Sequence, residues 1–156
     1  MNITIVSIGK IKETYFKEAI NEYIKRLGSY CSLKIIEIPS EPIFDEKDYE
    51  KYKQNEAKKI LQHLNSNSYI VTLEIEGKQL SSLGLAQKIK DISNDGYNEL
   101  TLVIGGANGL SEDISKKADL KLSFSKMTFT HQMMRVILLE QIYRSFKILN
   151  NENYHR

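Results

Sequence analysis

The sequence has no tryptophan, 1 cysteine and 2 prolines among 156 residues, and each scarcity excludes something. A lone thiol, Cys31, closes no internal disulfide, and no His/Cys spacing resembles a zinc site. The chain is therefore expected in a reducing compartment, with Cys31 as small core filler. So few prolines argue against a disordered or linker-rich chain. No apolar stretch approaches the roughly 20 residues that cross a bilayer. The amino-terminal run in MNITIVSIGKIKE lacks a charged region before it and a small-residue cleavage site after it, so it reads as a strand. A cytoplasmic protein is expected. Charge of one sign is also missing: 22 Lys and Arg against 20 Asp and Glu leave +2, too mild to announce a non-specific nucleic-acid binder.

What is present is an ordinary globular mixture, 41% hydrophobic and 27% charged, at a length that suits one compact α/β domain, taken as residues 1–156. The charges are segregated. Lys10, Lys12, Lys17, Lys25, Arg26 and Lys34 crowd the first part, Arg135, Arg144, Lys147 and Arg156 the last, and acid collects between Glu41 and Glu56. Such a chain can present a basic face to a polyanion.

Periodicity predicts strands alternating with helices. ITIVSI is strand-like, and ETYFKEAINEYIKRL puts Tyr15, Ala19, Tyr23 and Leu27 on one helical stripe closed by Gly28. LKIIEI is a second strand ended by Pro39. A polar stretch follows and becomes helical with Ala57, Ile60, Leu61 and Leu64 facing inward. YIVTLEI is a third strand, SSLGLAQKIKDI a helix capped by Ser81 or Ser82, and LTLVIGG a fourth strand. SEDISKKA and LKLSFS supply a short helix and a short strand. The last helix, from about Gln132 to Leu149, has Glu140, Arg144 and Lys147 on one polar stripe and apolar side chains nearly everywhere else. One sheet does not bury so wide an arc, so either the helix is wholly internal or one side packs against a second subunit, and a homodimer is the preferred expectation. The pattern implies a mostly parallel sheet covered on both faces.

The stretch LVIGGANGLSEDI places Gly105, Gly106 and Gly109 directly after the fourth strand, where parallel α/β sheets bind ligands. Lys-Ser/Thr is missing after the last glycine, which excludes a Walker A loop. The chain also lacks a G-x-G-x-x-G after an early strand, which excludes a dinucleotide fingerprint. What remains is a turn whose bare backbone approaches a flat ligand group, or a tight turn leading to an N-cap at Ser111.

The blocks ITIVSIGKIKE, VTLEIEGKQLSSLGLA, VIGGANGL and LSFSKMTFTHQMMRVILLEQIYRSFKI, with the terminal YHR, carry an end-to-end resemblance. The chain resembles the large-subunit pseudouridine N3-methyltransferases of the SPOUT class. That resemblance implies a single SPOUT domain with a C-terminal trefoil knot, which periodicity does not reveal. It implies methyl transfer from S-adenosyl-L-methionine to N3 of a pseudouridine in 23S rRNA, on assembled 70S ribosomes. The cofactor contacts it implies fall on Leu73, Gly105 and the segment Phe124, Ser125, Lys126, Met127, Thr128 and Phe129. An imide N3–H needs a general base, or a cation to stabilise its anion, and the candidates are His131, Tyr154, His155 and Arg156. The family commonly builds its site across a dimer interface, so the tail is expected to complete a partner's site, with the basic amino-terminal region on phosphate.

Relatives commonly have proline where Thr130 stands and glycine in the tail where this chain has Asn150-Asn151-Glu152-Asn153. Thr130 remains a competent N-cap, and asparagine tolerates a left-handed backbone. The alternatives are a SPOUT enzyme for another RNA, such as a tRNA, and a non-catalytic ribosome-associated factor.

Overall fold

The computed structural model describes residues 1–154; His155 and Arg156, two of the expected site residues, lie outside the described residues. Strands β1 (Asn2–Ile8), β2 (Ser32–Ile38), β3 (Tyr69–Gln79), β4 (Glu99–Ile104) and β5 (Leu120–Ser123) form a five-stranded sheet in the order β2-β1-β4-β3-β5. Every pairing is parallel. All the carboxyl ends therefore lie on one edge, and the loops that leave them converge there.

Side chains alternate across each strand, so one strand feeds two cores. Ile3 and Ile5 pack with Ile20, Ile89 and Leu138, from α1 (Thr14–Leu27), α3 (Ser82–Asn94) and α5 (His131–Leu149). Val6 and Ile8 face the other way, onto Ala57 and Ile60 of α2 (Tyr49–Leu61) and Ile114 of α4 (Glu112–Ser115). The α/β architecture expected from the pattern is present, with helices on both faces.

Local chemistry sets the helix starts. Ser81, rather than Ser82, caps α3 by accepting from the Gly84 N–H at 3.0 Å. Ser111 caps α4, and Thr130 caps α5 by accepting from the Met133 N–H at 3.3 Å. That cap starts α5 at His131, one residue before the expected Gln132. In the tail, Asn151 takes a φ of 55°, the left-handed bend that asparagine accommodates.

Two expectations are corrected. Tyr15 is exposed and rests on Phe16, its ring 4.6 Å away. The α1 residues that turn inward are Ile20 and Leu27, with Tyr23 half-buried beside them, so the stripe is rotated away from Tyr15. Arg135 does not contribute to a basic surface, because it is fully buried. Its guanidinium donates to the Glu37 carboxylate, to Ser7 Oγ at 2.6 Å and to the Gly9 carbonyl at 2.9 Å. Burial pulls its pKa down and Glu37 opposes that shift.

Strand β3 is longer than YIVTLEI predicts. It pairs with β5 at Val71 to Leu73, loops out, and pairs again at Lys78 and Gln79. A Cβ on Gly77 would lie 2.7 Å from the Lys121 carbonyl group. Only glycine lets the two backbones close after the bulge.

Candidate active site

A cavity of about 730 Å³ opens at the carboxyl edge of the sheet. Three loops wall it: the β3 bulge from Leu73 to Glu76, the turn from Gly105 to Leu110 after β4, and the segment after β5, which runs into the first turn of α5. The size suits a small ligand, and the apolar lining with a few polar groups is the usual composition of such sites.

The bulge is fixed from below. Glu74 accepts hydrogen bonds from Thr72 Oγ1 at 2.6 Å and from Ser115 Oγ at 3.0 Å. Both carboxylate oxygens are thereby engaged by the scaffold.

Each glycine of the turn has its own reason. A Cβ on Gly105 would lie 2.9 Å from the Gly109 carbonyl carbon and 3.0 Å from Leu110, so Gly105 lets the turn fold onto itself. A Cβ on Gly106 would meet Ile8 at 3.0 Å and the Glu56 carboxylate at 3.2 Å, so Gly106 seats the turn on its floor. Gly109 has a φ of +75° and open space around it, and it needs glycine for backbone conformation alone. The Gly109 N–H donates to the Gly106 carbonyl at 3.0 Å and closes the loop. Gly105 lines the cavity, and its missing side chain also makes room for the turn itself.

Glu56 is a buried carboxylate under this turn that sequence reasoning missed. It accepts from the Glu41 N–H at 3.2 Å. Burial pushes its pKa above the usual carboxylate value, Glu41 adds repulsion, and the Glu41 N–H and Lys59 pull the other way.

The expected cofactor residues Leu73, Gly105, Phe124, Ser125, Met127, Thr128 and Phe129 all line the cavity. Lys126 does not; it is exposed between two residues that do. Ser125 Oγ accepts from the Met127 N–H at 3.0 Å, which turns the segment back on itself. Sequence reasoning missed Glu74, Ala107, Leu110, Gln132 and Met134. The signal for Glu74 was Gly77, an isolated glycine just after a strand-like run, which marks a bulge, and the signal for Ala107 and Leu110 was the glycine turn itself.

His131 also lines the cavity. Its Nε2 is sealed from solvent without a hydrogen-bond partner among the described residues and is packed against Gly9, where a Cβ would lie 2.6 Å away. Gly9 has a φ of +92°. Gln132 Oε1 accepts from the Lys12 N–H at 2.8 Å, which brings the 10–13 loop to the start of α5. Lys10 and Lys12 are exposed on that loop.

Tyr154 lies elsewhere in the chain. Its hydroxyl donates to Glu140 Oε1 at 3.2 Å, its ring meets Tyr143 edge-on at 4.9 Å, and the Arg144 guanidinium lies 4.7 Å over it. None of these partners lines the cavity. Burial and the Tyr23 hydroxyl push its phenol up to about 12. Glu152, held by Tyr30 at 2.9 Å and by Lys147 at 2.5 Å, anchors the same tail. The structure brings His131 and the expected cofactor residues other than Lys126 together, and it leaves Tyr154 apart from them.

A parallel α/β sheet with a cavity among the loops of adjacent carboxyl ends has the architecture in which α/β proteins bind small molecules. Comparison with known proteins narrows it. The family model described as predicted SPOUT methyltransferase matches residues 1–155. The chain is 56% identical, over 100% of both chains, to a Methanococcus maripaludis (strain C5 / ATCC BAA-1333) protein whose name assigns it as ribosomal RNA large subunit methyltransferase H. It belongs to the SPOUT methyltransferase family. Among solved structures, a methylase family protein from Haemophilus influenzae Rd KW20 superposes with a TM-score of 0.55 at 15% identity, covering 99% of this chain and 70% of that one. A Legionella pneumophila methyltransferase structure with S-adenosylmethionine bound gives a TM-score of 0.48 at 10% identity, over 96% and 66%.

Proposed function

We propose that this chain is an S-adenosylmethionine-dependent methyltransferase of large-subunit ribosomal RNA, acting at N3 of a pseudouridine on assembled 70S ribosomes. The observation that carries this reading is the meeting of Leu73, Gly105 and the Phe124–Phe129 segment around one cavity, in a chain so similar to a protein named for large-subunit ribosomal RNA. A SPOUT knot completes the reading. After β5, at the sheet edge, the next segment shares the cavity with the loops that follow β3 and β4, and α5 docks on α1 and α3, an arrangement compatible with such a knot.

The cavity fits the cofactor's size and character. Leu73, Leu122 and Phe124 offer it an apolar wall, and the 105–110 turn offers backbone N–H and C=O groups. S-adenosylmethionine supplies a methyl group on a sulfonium, and no metal is required for its transfer. This chain's residues have the remaining tasks, which are to hold both partners in line and to remove the N3 proton. Tyr154 is a poor base at neutral pH with its phenol near 12, and its role is to dock the tail on α5. Proton removal falls to His131 or His155, and stabilisation of the imide anion to Arg156. Because Tyr154 packs away from the cavity of its own chain, the site is completed by the tail of a second copy in a homodimer. Lys10 and Lys12, beside the start of α5, contact RNA phosphate. The compartment is the cytoplasm, where ribosomes are found.

The test is transfer of labelled methyl to 70S ribosomes, isolated large subunits and naked 23S rRNA from cells that lack this activity. Label on the 70S particle that maps to N3 of a pseudouridine is the expected result. Cofactor binding without label on any of the three would overturn the proposed target.

A further inference from the structure

The loop between β2 and α2 takes no part in the site above. It carries Ile43 and Phe44 at 43% and 87% exposure, and Phe44 is the most exposed large apolar side chain among the described residues. Leaving a phenyl ring in water forgoes the burial that stabilises most aromatics.

The loop nevertheless has a defined shape. The Phe44 N–H donates to the Tyr52 hydroxyl of α2 at 3.1 Å, and Tyr52 is itself buried. Asp45 accepts from the Lys47 N–H at 3.0 Å and caps the short 3-10 turn Glu46–Asp48. At its start, Glu41 is paired with Lys59 at 2.5 Å. An apolar tip held in this way loses little freedom on docking, which makes it a good anchor for a partner.

Charge selects the partner. Glu41 and Glu50 are paired with Lys59 and Lys53, and Asp45, Glu46 and Asp48 follow directly on Phe44 with Lys47 among them, which leaves the tip acidic on balance. Such a field repels RNA phosphate and attracts a surface rich in Lys and Arg. The loop leads into α2, which covers the sheet face opposite α5, so it is remote from the apolar face of α5.

We propose that the Ile43–Phe44 tip docks into an apolar pocket rimmed by Lys or Arg on a protein partner. Resting on the ribosomal reading above, that partner is a basic protein of the large subunit beside the substrate RNA. The molecule then has two unlike points of attachment: the Lys10–Lys12 loop to phosphate and the acidic Phe44 tip to protein. Two tethered weak contacts strengthen each other only where both targets sit at the right separation. The arrangement makes the enzyme prefer an assembled particle to free RNA.

The test compares wild type, Phe44→Ser and Glu46→Lys/Asp48→Lys for binding to large subunits, to 70S ribosomes and to naked 23S rRNA. S-adenosylmethionine affinity, thermal midpoint and sedimentation are measured in parallel. Both variants are expected to lose about tenfold or more in particle affinity, with naked-RNA binding by Phe44→Ser unchanged and cofactor affinity and thermal midpoint unchanged. Unchanged particle affinity of Phe44→Ser overturns the proposal. Equal loss on naked RNA assigns the ring to base stacking instead, and a shift from dimer to monomer assigns it to a second copy; either result overturns it. If wild type binds no ribosomal particle while holding cofactor, the ribosomal reading fails and this inference falls with it.

Discussion

Arg135 shows how one residue ties the site to the scaffold. From α5 it reaches the carboxyl ends of both β1 and β2, through Ser7, Gly9 and Glu37. The same helix turn carries His131 against Gly9. Although Glu37 is exposed, removing the buried guanidinium leaves Ser7 Oγ and the Gly9 carbonyl without their donor. Arg135→Ala is expected to destabilise the fold by about 3 kcal/mol in denaturant unfolding, and Arg135→Lys to restore little, because an ammonium does not reproduce the guanidinium fork. No sequence signal marked this residue. Placed beside Arg144 and Lys147, it read as surface charge, and only the packing of α5 reveals otherwise. Glu56 was equally hidden, because it accepts from the Glu41 N–H and lies under a glycine turn far along the chain. Its raised pKa has a stability consequence. The folded state binds the proton more tightly than the unfolded chain, so this contribution is fully present below the ordinary carboxylate value. It is lost as pH rises through the raised value. Thermal midpoints of Glu56→Gln measured from pH 4 to 8 should lack the decline that wild type shows over that window. A decline of the same size in the variant would assign it to other groups.

At the scale of elements, the strands and most helices were legible because parallel strands buried on both faces read as short apolar runs, and because Ser81, Ser111 and Thr130 are chemically plain caps. The β3 bulge was less legible. It depends on the approach of Gly77 to β5, a contact between segments distant in sequence. Gly77→Ala places a Cβ 2.7 Å from backbone. We expect it to lower the thermal midpoint and weaken cofactor binding together, since the bulge lines the cavity. Ala107 offers the contrast. It is exposed yet lines the cavity, so Ala107→Trp should block S-adenosylmethionine binding in calorimetric titration with little change in thermal midpoint. A variant that still binds with wild-type affinity would remove the turn from the cofactor site. Loss of the Thr130 cap through Thr130→Ala should cost about 1 kcal/mol, read by the same unfolding measurement.

At the scale of the molecule, the main fact is separation. The cavity lies at the carboxyl edge of the sheet, whereas the tail packs with Tyr154 on α5 and Glu152 on Tyr30 and Lys147. The family resemblance had pointed to both parts, and the structure shows that one copy does not bring Tyr154 to its own cavity. In the proposed homodimer, two copies would exchange them. Sedimentation at micromolar concentration is expected to show a dimer, and a stable monomer would end the shared-site account. Removing residues 154–156 should spare cofactor binding and abolish methyl transfer.

The most direct test mixes two inactive proteins, Ala107→Trp, with its cavity filled, and the chain shortened after Asn153, with its tail gone. Each homodimer should be inactive on 70S ribosomes. After subunit exchange, a mixed dimer holds one intact cavity facing one intact tail, and about a quarter of wild-type activity is expected when the exchange is statistical. If no activity returns while mass measurement confirms mixed dimers, cavity and tail do not combine between subunits, and the account of the site is wrong.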